Sequence, residues 1–184
     1  GVRAADGNAD ILVGGSQNGR SAPPSMCFAS VSARAWEEAQ KVGSSGYDSF
    51  LSFTNAHKAG CPYTPYRQGT AALNEALDMI FEEGLEACFA RHARVAGEAR
   101  AGLQSLGYRL FAREGAVASP TVTAAYMPEK YQWKEWYASL KSKGLDAGKS
   151  SGPKGGKVLR HGPQVHQADR AQWERTVKAH AGMV

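Results

Sequence analysis

The stretch Asp10-Ile-Leu-Val-Gly-Gly-Ser-Gln-Asn-Gly-Arg-Ser-Ala-Pro-Pro24 decides the fold of this 184-residue chain. Its apolar run, residues 11–13, ends at two glycines and a polar turn, and the paired prolines after the turn exclude a helix. A second apolar run, residues 26–31, follows almost at once. Short apolar runs bounded by Gly and Pro are typical of buried strands. We therefore predict two buried strands joined by a loop.

Helical signals dominate the next part of the chain. Ser32 is a good N-cap, because its hydroxyl can accept an otherwise unpaired backbone N–H, so a helix is predicted from there to about Val42. Residues 43–67 are rich in Gly, Pro and aromatic side chains, which indicates a structured connection and not a flexible linker. The other predicted elements are helices at about 68–83, 85–106, 133–143 and 167–181, and strands at 108–111, 121–127 and 158–160.

The order of these elements predicts an α/β architecture in two parts. Two strands and three helices come first, and a β-β-α-β-α succession follows. The boundary between the two parts lies near residue 105. Hydrophobic residues make up 42% of the chain and charged residues 21%, which is typical of a globular protein. The net charge of +5 comes from basic residues that are interspersed with acids, except at 149–157. A nucleic-acid-binding role is therefore only weakly supported.

Several classes of protein and site are disfavoured by simple patterns. No apolar run approaches the roughly 20 residues that span a bilayer, and the first residues do not resemble a signal peptide. Cys27, Cys61 and Cys88 lie outside any C-x-x-C pattern, which predicts reduced, mostly buried thiols in a cytoplasmic protein. The five histidines show neither H-x-x-x-H nor H-E-x-x-H spacing, so no metal site is predicted.

A family resemblance rests on seven short motifs that occur in a fixed order and spacing. These motifs resemble the alanine–glyoxylate and serine–pyruvate branch of the class V aminotransferases, which are pyridoxal-phosphate (PLP) enzymes of fold type I. The motifs are Gly15-Ser-Gln17 with Pro23-Pro24, Ser30-Val-Ser32, Tyr63-Thr-Pro65, Ala76-Leu-Asp78, Arg91-His92, Ser119-Pro-Thr-Val-Thr123 and Gly156-Lys-Val-Leu-Arg160.

The resemblance implies an incomplete fold. We expect an α/β chain that forms the C-terminal half of a fold-type I PLP-dependent transferase, namely the last strands of the large domain and the small α+β C-terminal domain. Residues 1–67 would be the remnant of the large PLP-binding domain, residues 68–106 the connecting helices, and residues 107–184 the small domain. A sheet that starts at its last strands leaves unpaired edges and a bare apolar face. We therefore expect a second chain that supplies the N-terminal half, with a fragment of a longer subunit as the alternative.

The resemblance also assigns roles to four residues. The lysine that forms the Schiff base with PLP in this family is replaced by Asn18, whose amide cannot form an imine. Gln17 and Thr64 are implied as cofactor-binding residues. Arg160 is implied as the residue that clamps the substrate carboxylate through a planar, bidentate pair. The alternatives are loop packing for Gln17 and a surface ion pair for Arg160.

Three positions depart from the family pattern and bear on whether the site still works. Arg20 stands where the family usually has an apolar residue. Its guanidinium could replace the positive charge of the missing lysine, or it could bind an anion. Cys61 replaces an expected aromatic residue near Thr64, and His161 intrudes after Arg160. Decay or a new use of the site is one interpretation of Asn18. The other is PLP bound noncovalently, or held together with a partner chain.

These inferences lead to one expected function and two alternatives. We expect a half-subunit of a split class V aminotransferase-like PLP enzyme that acts on a small amino acid or 2-oxo acid within a hetero-oligomer. The first alternative is a noncatalytic subunit, a pseudoenzyme, that stabilises or regulates a partner protein. The second is a basic scaffold that binds an anionic ligand or nucleic acid.

Overall fold

The computed structural model describes residues 8–152, 155–162 and 170–181. The chain divides into two compact units between Met79 and Ile80, inside a long helix. The elements are β1 (Ile11–Gly15), β2 (Cys27–Val31), α1 (Ala33–Val42), α2 (Ala56–Ala59), α3 (Arg67–Glu83), α4 (Leu85–Ser105), β3 (Thr123–Tyr126), α5 (Trp133–Ser142), β4 (Gly148–Lys149), β5 (Val158–His161) and α6 (Arg170–His180).

The first unit begins with the predicted pair of strands. β1 and β2 are antiparallel, with Ile11 opposite Val31 and Gly15 opposite Cys27. The predicted N-cap is confirmed, because the Ser32 hydroxyl accepts a hydrogen bond from the backbone N–H of Ala35 at 3.1 Å. The same hydroxyl donates to Asp10 at 2.8 Å, so one serine both starts α1 and ties it to the residue before β1.

The burial predicted for these two strands is wrong. Ile11 is 50% exposed and Val13 69% exposed, and Ala29 and Cys27, which lie opposite Val13 and Gly15, are exposed as well. Apolar composition alone does not distinguish a covered strand from an uncovered one, and among the described residues β1 and β2 form a sheet of only two strands. The prediction of mostly buried thiols fails with it, since only Cys88 is buried.

The connection after α1 is structured, as expected. It contains a short 3-10 turn at Phe50–Phe53 and the single turn of α2. Its aromatic rings pack on one another, with the ring centroids of Tyr47 and Tyr63 4.4 Å apart and those of Phe53 and Tyr63 5.9 Å apart. These contacts give the segment that carries Thr64 a defined path.

The second unit holds a three-stranded antiparallel sheet in the order β3-β5-β4. Trp136 of α5 is fully buried in its core, and the indole N–H donates to the Tyr108 hydroxyl at 3.3 Å. Central β5 places Arg160 between Ala124 of β3 and Gly148 of β4. The core consists of Leu103, Tyr108, Ala125, Met127, Trp136, Leu140, Ala147, Leu159 and Ala179.

Most predicted elements agree with the structure, and two details differ. The predicted strand at 108–111 contributes a single bridge, Leu110 to Ala125, because only a few of its backbone groups reach β3. The short β4 was not predicted, since Gly148 and Lys149 carry no strand-forming signal.

Residues 167–169 at the start of the predicted last helix lie outside the described residues. The three-part division at 67 and 106 stays a prediction.

Within the described ranges, no helix combines the length and apolarity needed to cross a membrane.

Candidate functional site

The turn that follows β1 is organised by a buried hydroxyl. Ser16 is 1% exposed, and its Oγ donates to the Pro23 carbonyl at 2.5 Å. The same Oγ accepts from the backbone N–H groups of Ser25 and Met26 at 3.4 and 3.3 Å. The Ser16 N–H donates in turn to the Met26 carbonyl at 2.9 Å. One side chain therefore closes the loop between the two strands.

Removing that hydroxyl is expected to destabilise the loop. We predict that Ser16→Ala lowers the free energy of unfolding by about 1–3 kcal/mol, because the buried hydroxyl loses its part-buried hydrogen bonds to the backbone of Pro23, Ser25 and Met26. Urea unfolding measures the change. Ser25→Ala is the matched control, since the exposed Ser25 hydroxyl donates to the same Pro23 carbonyl at 3.3 Å, and a surface change of this kind is expected to stay within about 0.5 kcal/mol. Equal losses in both variants would contradict the role of Ser16.

Gln17 and Asn18 share this turn, as the sequence predicted, and both are exposed. Their side chains fold back over Gly15. A Cβ on Gly15 would lie 2.8 Å from Gln17 Oε1 and 3.4 Å from Asn18 Nδ2. Glycine at this position therefore lets the two amides approach the end of the strand. The backbone N–H of Asn18 also donates to the Gly15 carbonyl at 3.2 Å.

Arg20 fixes a positive charge on the same turn. Its Nη1 donates to the Asn18 carbonyl at 3.1 Å, and its guanidinium lies 4.3 Å above the centre of the Phe28 ring. Partial burial lowers the pKa of Arg20 below its ordinary value. An arginine stays protonated at neutral pH even when it is partly buried. The Arg20 cation is therefore held in place by the Asn18 carbonyl and the face of the Phe28 ring.

The donor groups of this turn do not fit covalent attachment of PLP. A Schiff base with the cofactor needs a primary amine. The turn offers two amides and one guanidinium, and the first lysine of the whole sequence is Lys41. Lys41 lies in the last turn of α1 and pairs with Glu38 at 2.7 Å. The assignment of Asn18 to the Schiff-base position stays a prediction of the sequence.

Thr64 lies in the same unit as this turn, but on a separate segment. It is exposed, and the adjacent Tyr63 is anchored by a hydrogen bond from its hydroxyl to the Tyr47 carbonyl at 2.9 Å. A hydroxyl beside an anchored ring and before Pro65 suits a hydrogen bond to a phosphate oxygen. Tyr63 therefore packs against Tyr47 and also positions its neighbour Thr64.

Arg160 belongs to the second unit. It is exposed on central strand β5, and its Nη2 donates across β4 to the Lys149 carbonyl at 2.9 Å. This bond uses one of the five N–H donors of the guanidinium, so the planar group is oriented while its fork can still bind a carboxylate. The next residue, His161, brings its Nε2 to 3.3 Å from Nε2 of His180. Sequence spacing did not predict this pair.

Other features of the described residues do not coincide with the predicted site. A groove of about 750 Å³ in the second unit is lined by Arg109, Phe111, Arg113 and Tyr126, among others, and none of the four predicted site residues lines it. In the described part of the chain, no group of three or more His, Cys, Asp or Glu residues could hold a metal ion.

Comparisons with known proteins show which proteins this chain is similar to. No family model matches the chain. It is 41% identical over 140 residues to an uncharacterized aminotransferase of Methanocaldococcus jannaschii, which covers 73% of this chain and 36% of that protein. It is 31% identical over 179 residues to the alanine–glyoxylate aminotransferase of Oryctolagus cuniculus, covering 92% of this chain and 46% of that one.

The fold matches a solved structure over the full chain. The crystal structure of pyridoxamine–pyruvate aminotransferase from Mesorhizobium loti superposes with a TM-score of 0.92 at 30% identity, covering 100% of this chain and 48% of that chain. The chain thus spans less than half the length of the relatives it matches. The extent of the match is consistent with the predicted C-terminal half. The chain is therefore a homologue of the class V aminotransferases, PLP enzymes of fold type I, and has the fold of about half of such a subunit.

Proposed function

We propose that this chain is the C-terminal half-subunit of a split class V aminotransferase-like enzyme that moves an amino group between a small amino acid and a 2-oxo acid. The observation that carries the proposal is the exposed apolar face of β1 and β2, which includes Ile11 and Val13. A two-stranded sheet is only marginally stable by itself in water. A second chain that covers this face and pairs with the strand edges would complete the sheet.

Homology supports an aminotransferase-type reaction for the complete assembly. The relatives named above are aminotransferases, and this chain matches less than half of each. We therefore propose a hetero-oligomer in which a complementary chain supplies the N-terminal half. Exposed thiols such as Cys61 persist best in a reducing compartment, so we include a cytoplasmic location of the assembly in the same proposal.

Four residues have roles within this proposal. Gln17 and Thr64 would contact PLP, which is held noncovalently or together with the partner chain, since Asn18 offers no amine. Arg160 would bind the carboxylate of the amino acid or 2-oxo acid through its planar fork. Its anchored position on central β5 reduces the entropy that is lost when the carboxylate binds.

The proposal predicts that the partner protects Cys27. This thiol is exposed on β2 beside the apolar face, and Cys88 is buried, so Cys61→Ser leaves Cys27 as the reactive thiol. We expect maleimide labelling of Cys27 to slow at least tenfold in the complex with the polypeptide that co-purifies from the native source, because a covered thiol reacts only after dissociation or local opening. Intact mass measures the labelling. Equal rates with and without that polypeptide would contradict the proposal, and so would the lack of any co-purifying chain.

A charged substitution on the exposed face of β1 distinguishes an effect on partner binding from an effect on folding. Val13→Asp would bury a carboxylate in the proposed interface, which is costly, whereas Val13 is 69% exposed in the chain alone. We expect this variant to fold but to bind the partner at least tenfold more weakly. Val42→Asp is the matched control, because Val42 is 79% exposed at the end of α1.

A second candidate function is favoured by the chemistry of the turn. With amides at Gln17 and Asn18 and a fixed guanidinium at Arg20, the turn fits a noncatalytic subunit that stabilises or regulates its partner. Acid denaturation of the complex followed by mass spectrometry of the released small molecules separates the two candidates, because a noncovalently held cofactor is freed when the protein unfolds. A complex that releases neither PLP nor its amine form would favour the noncatalytic subunit.

A further inference from the structure

Two histidines meet between β5 and α6 in the second unit. His161 and His180 are 19 residues apart in sequence, and their Nε2 atoms lie 3.3 Å apart. Their ring centroids are separated by 5.0 Å in an edge-on arrangement. His180 is fully buried, while His161 is partly exposed at the end of its strand.

The hydrogen bonds define which nitrogens carry protons. His180 Nδ1 lies 2.8 Å from the Thr176 carbonyl, which can only accept, so the ring proton sits on Nδ1. The Nε2 of neutral His180 is then an acceptor, and His161 donates its Nε2–H to it. A first added proton places a positive charge beside the fully buried ring of His180. A second added proton leaves an N–H on both Nε2 atoms, so the hydrogen bond between the two rings is lost.

The surroundings favour the neutral pair. The Tyr108 phenol ring and the Trp136 indole pack on His180 with centroids 5.3 and 5.6 Å away. Lys143, just after α5, donates its ammonium to the Ala179 carbonyl at 2.8 Å and adds a positive charge nearby. Thr123 of β3 lies opposite His161 in the sheet. Among the described residues for which contacts with the pair are resolved, none is a carboxylate.

Both histidines resist protonation in the folded chain. Burial, with a smaller contribution from His180, lowers the pKa of His161 to about 4. Burial also lowers the pKa of His180. The unfolded state, with an ordinary histidine pKa near 6.5, binds protons first as the pH falls. The stabilisation by the neutral pair is therefore present above about pH 6.5 and is lost as the pH falls from there towards about 4.

We propose that the His161–His180 pair is an acid-operated latch that fastens α6 to β5 at neutral pH and releases that contact in mild acid. The latch is independent of the proposed enzymatic function, because it depends only on contacts within the second unit. His161 directly follows Arg160 on β5. The latch and the proposed carboxylate-binding residue therefore lie on the same strand.

Hydrogen exchange of the full chain tests the latch. We expect the protection of α6 amides, corrected for the intrinsic effect of pH, to fall at least tenfold between pH 7 and pH 5, since a histidine kept neutral only in the folded state contributes up to about tenfold per pH unit. Exchange is measured by mass spectrometry in the presence of EDTA, so that bound metal does not contribute. His57→Gln is the matched control, because His57 is exposed in the first unit, and its profile is expected to equal that of the wild type.

Replacing the pair with non-titrating residues tests the cause. In the double variant His161→Gln, His180→Gln, the protection of α6 is expected to be flat between pH 7 and pH 5, because glutamine can place an amide near each Nε2 position without binding a proton. A double variant that loses protection as steeply as the wild type would overturn the proposal. If the double variant does not fold, imidazole NMR titration of the wild type decides. Rings that stay neutral below pH 6 support the latch, and two rings that titrate near pH 6.5 overturn it.

Discussion

Replacing Asn18 with lysine is expected to change the yield of covalent PLP from none to about one pyridoxyl group per chain. The substitution restores the primary amine that an imine requires, at the position the family resemblance assigns to it. Arg20, fixed on the Asn18 carbonyl, would lower the pKa of the introduced amine and favour the neutral form that attacks the aldehyde. The measurement is borohydride reduction of the complex with its partner in the presence of PLP, followed by intact mass and peptide mapping.

An exposed asparagine outside the turn supplies the matched control. Asn74→Lys introduces the same amine on the exposed surface of α3, in the same unit. We expect it to give no adduct above the background of surface lysines, because attachment depends on the position of the amine at the cofactor and not on exposure alone. An adduct of equal yield on both variants would contradict the assignment of Asn18 to the Schiff-base position. No adduct on Asn18→Lys would mean that the pocket itself has been lost.

Arg160→Ala is expected to lower kcat/KM of the complex for its 2-oxo acid about 100-fold, or about 2.7 kcal/mol, through the loss of the carboxylate clamp. Arg160→Lys keeps the charge but loses the planar fork, so we expect it to stay about tenfold below the wild type. Because Arg160 is exposed and donates one resolved hydrogen bond, to Lys149, we expect little change in stability. Steady-state kinetics and thermal unfolding measure the two effects separately.

A nearby surface lysine tests whether charge alone explains the effect. Lys157→Ala removes an exposed cation next to β5, and its kcat/KM is expected to match that of the wild type. Turnover that is unchanged in Arg160→Ala would contradict the proposed carboxylate clamp. A complex with no turnover in either form would favour the noncatalytic subunit.

Local signals were sufficient to predict most of the elements. Ser32 predicted the start of α1, because an N-cap interaction spans only three residues. Gly43, in the left-handed conformation at the end of α1, and the strand pair β1–β2 follow from equally short-range preferences. The family resemblance predicted half of a fold-type I chain, and the superposition over the full chain confirms it.

Burial and side-chain pairing could not be predicted in the same way. The apolar runs in β1 and β2 predicted burial, yet Ile11 and Val13 are exposed, because burial depends on what covers a strand. The central role of Ser16 depends on Pro23 and Met26, which come near it only once the loop closes. A serine in such a turn carries no signal of that role in the sequence alone.

The sequence by itself determined most of the strands and helices, the N-cap of α1 and the family to which the chain is homologous, because those properties depend on neighbours within a few residues or on motifs kept in order. Only the tertiary structure decided that Arg20 lies over Phe28, that Arg160 is anchored across β4, and that His161 meets His180. Each of these contacts joins residues that separate elements bring together. Their chemistry therefore depends on packing, which local preference does not encode.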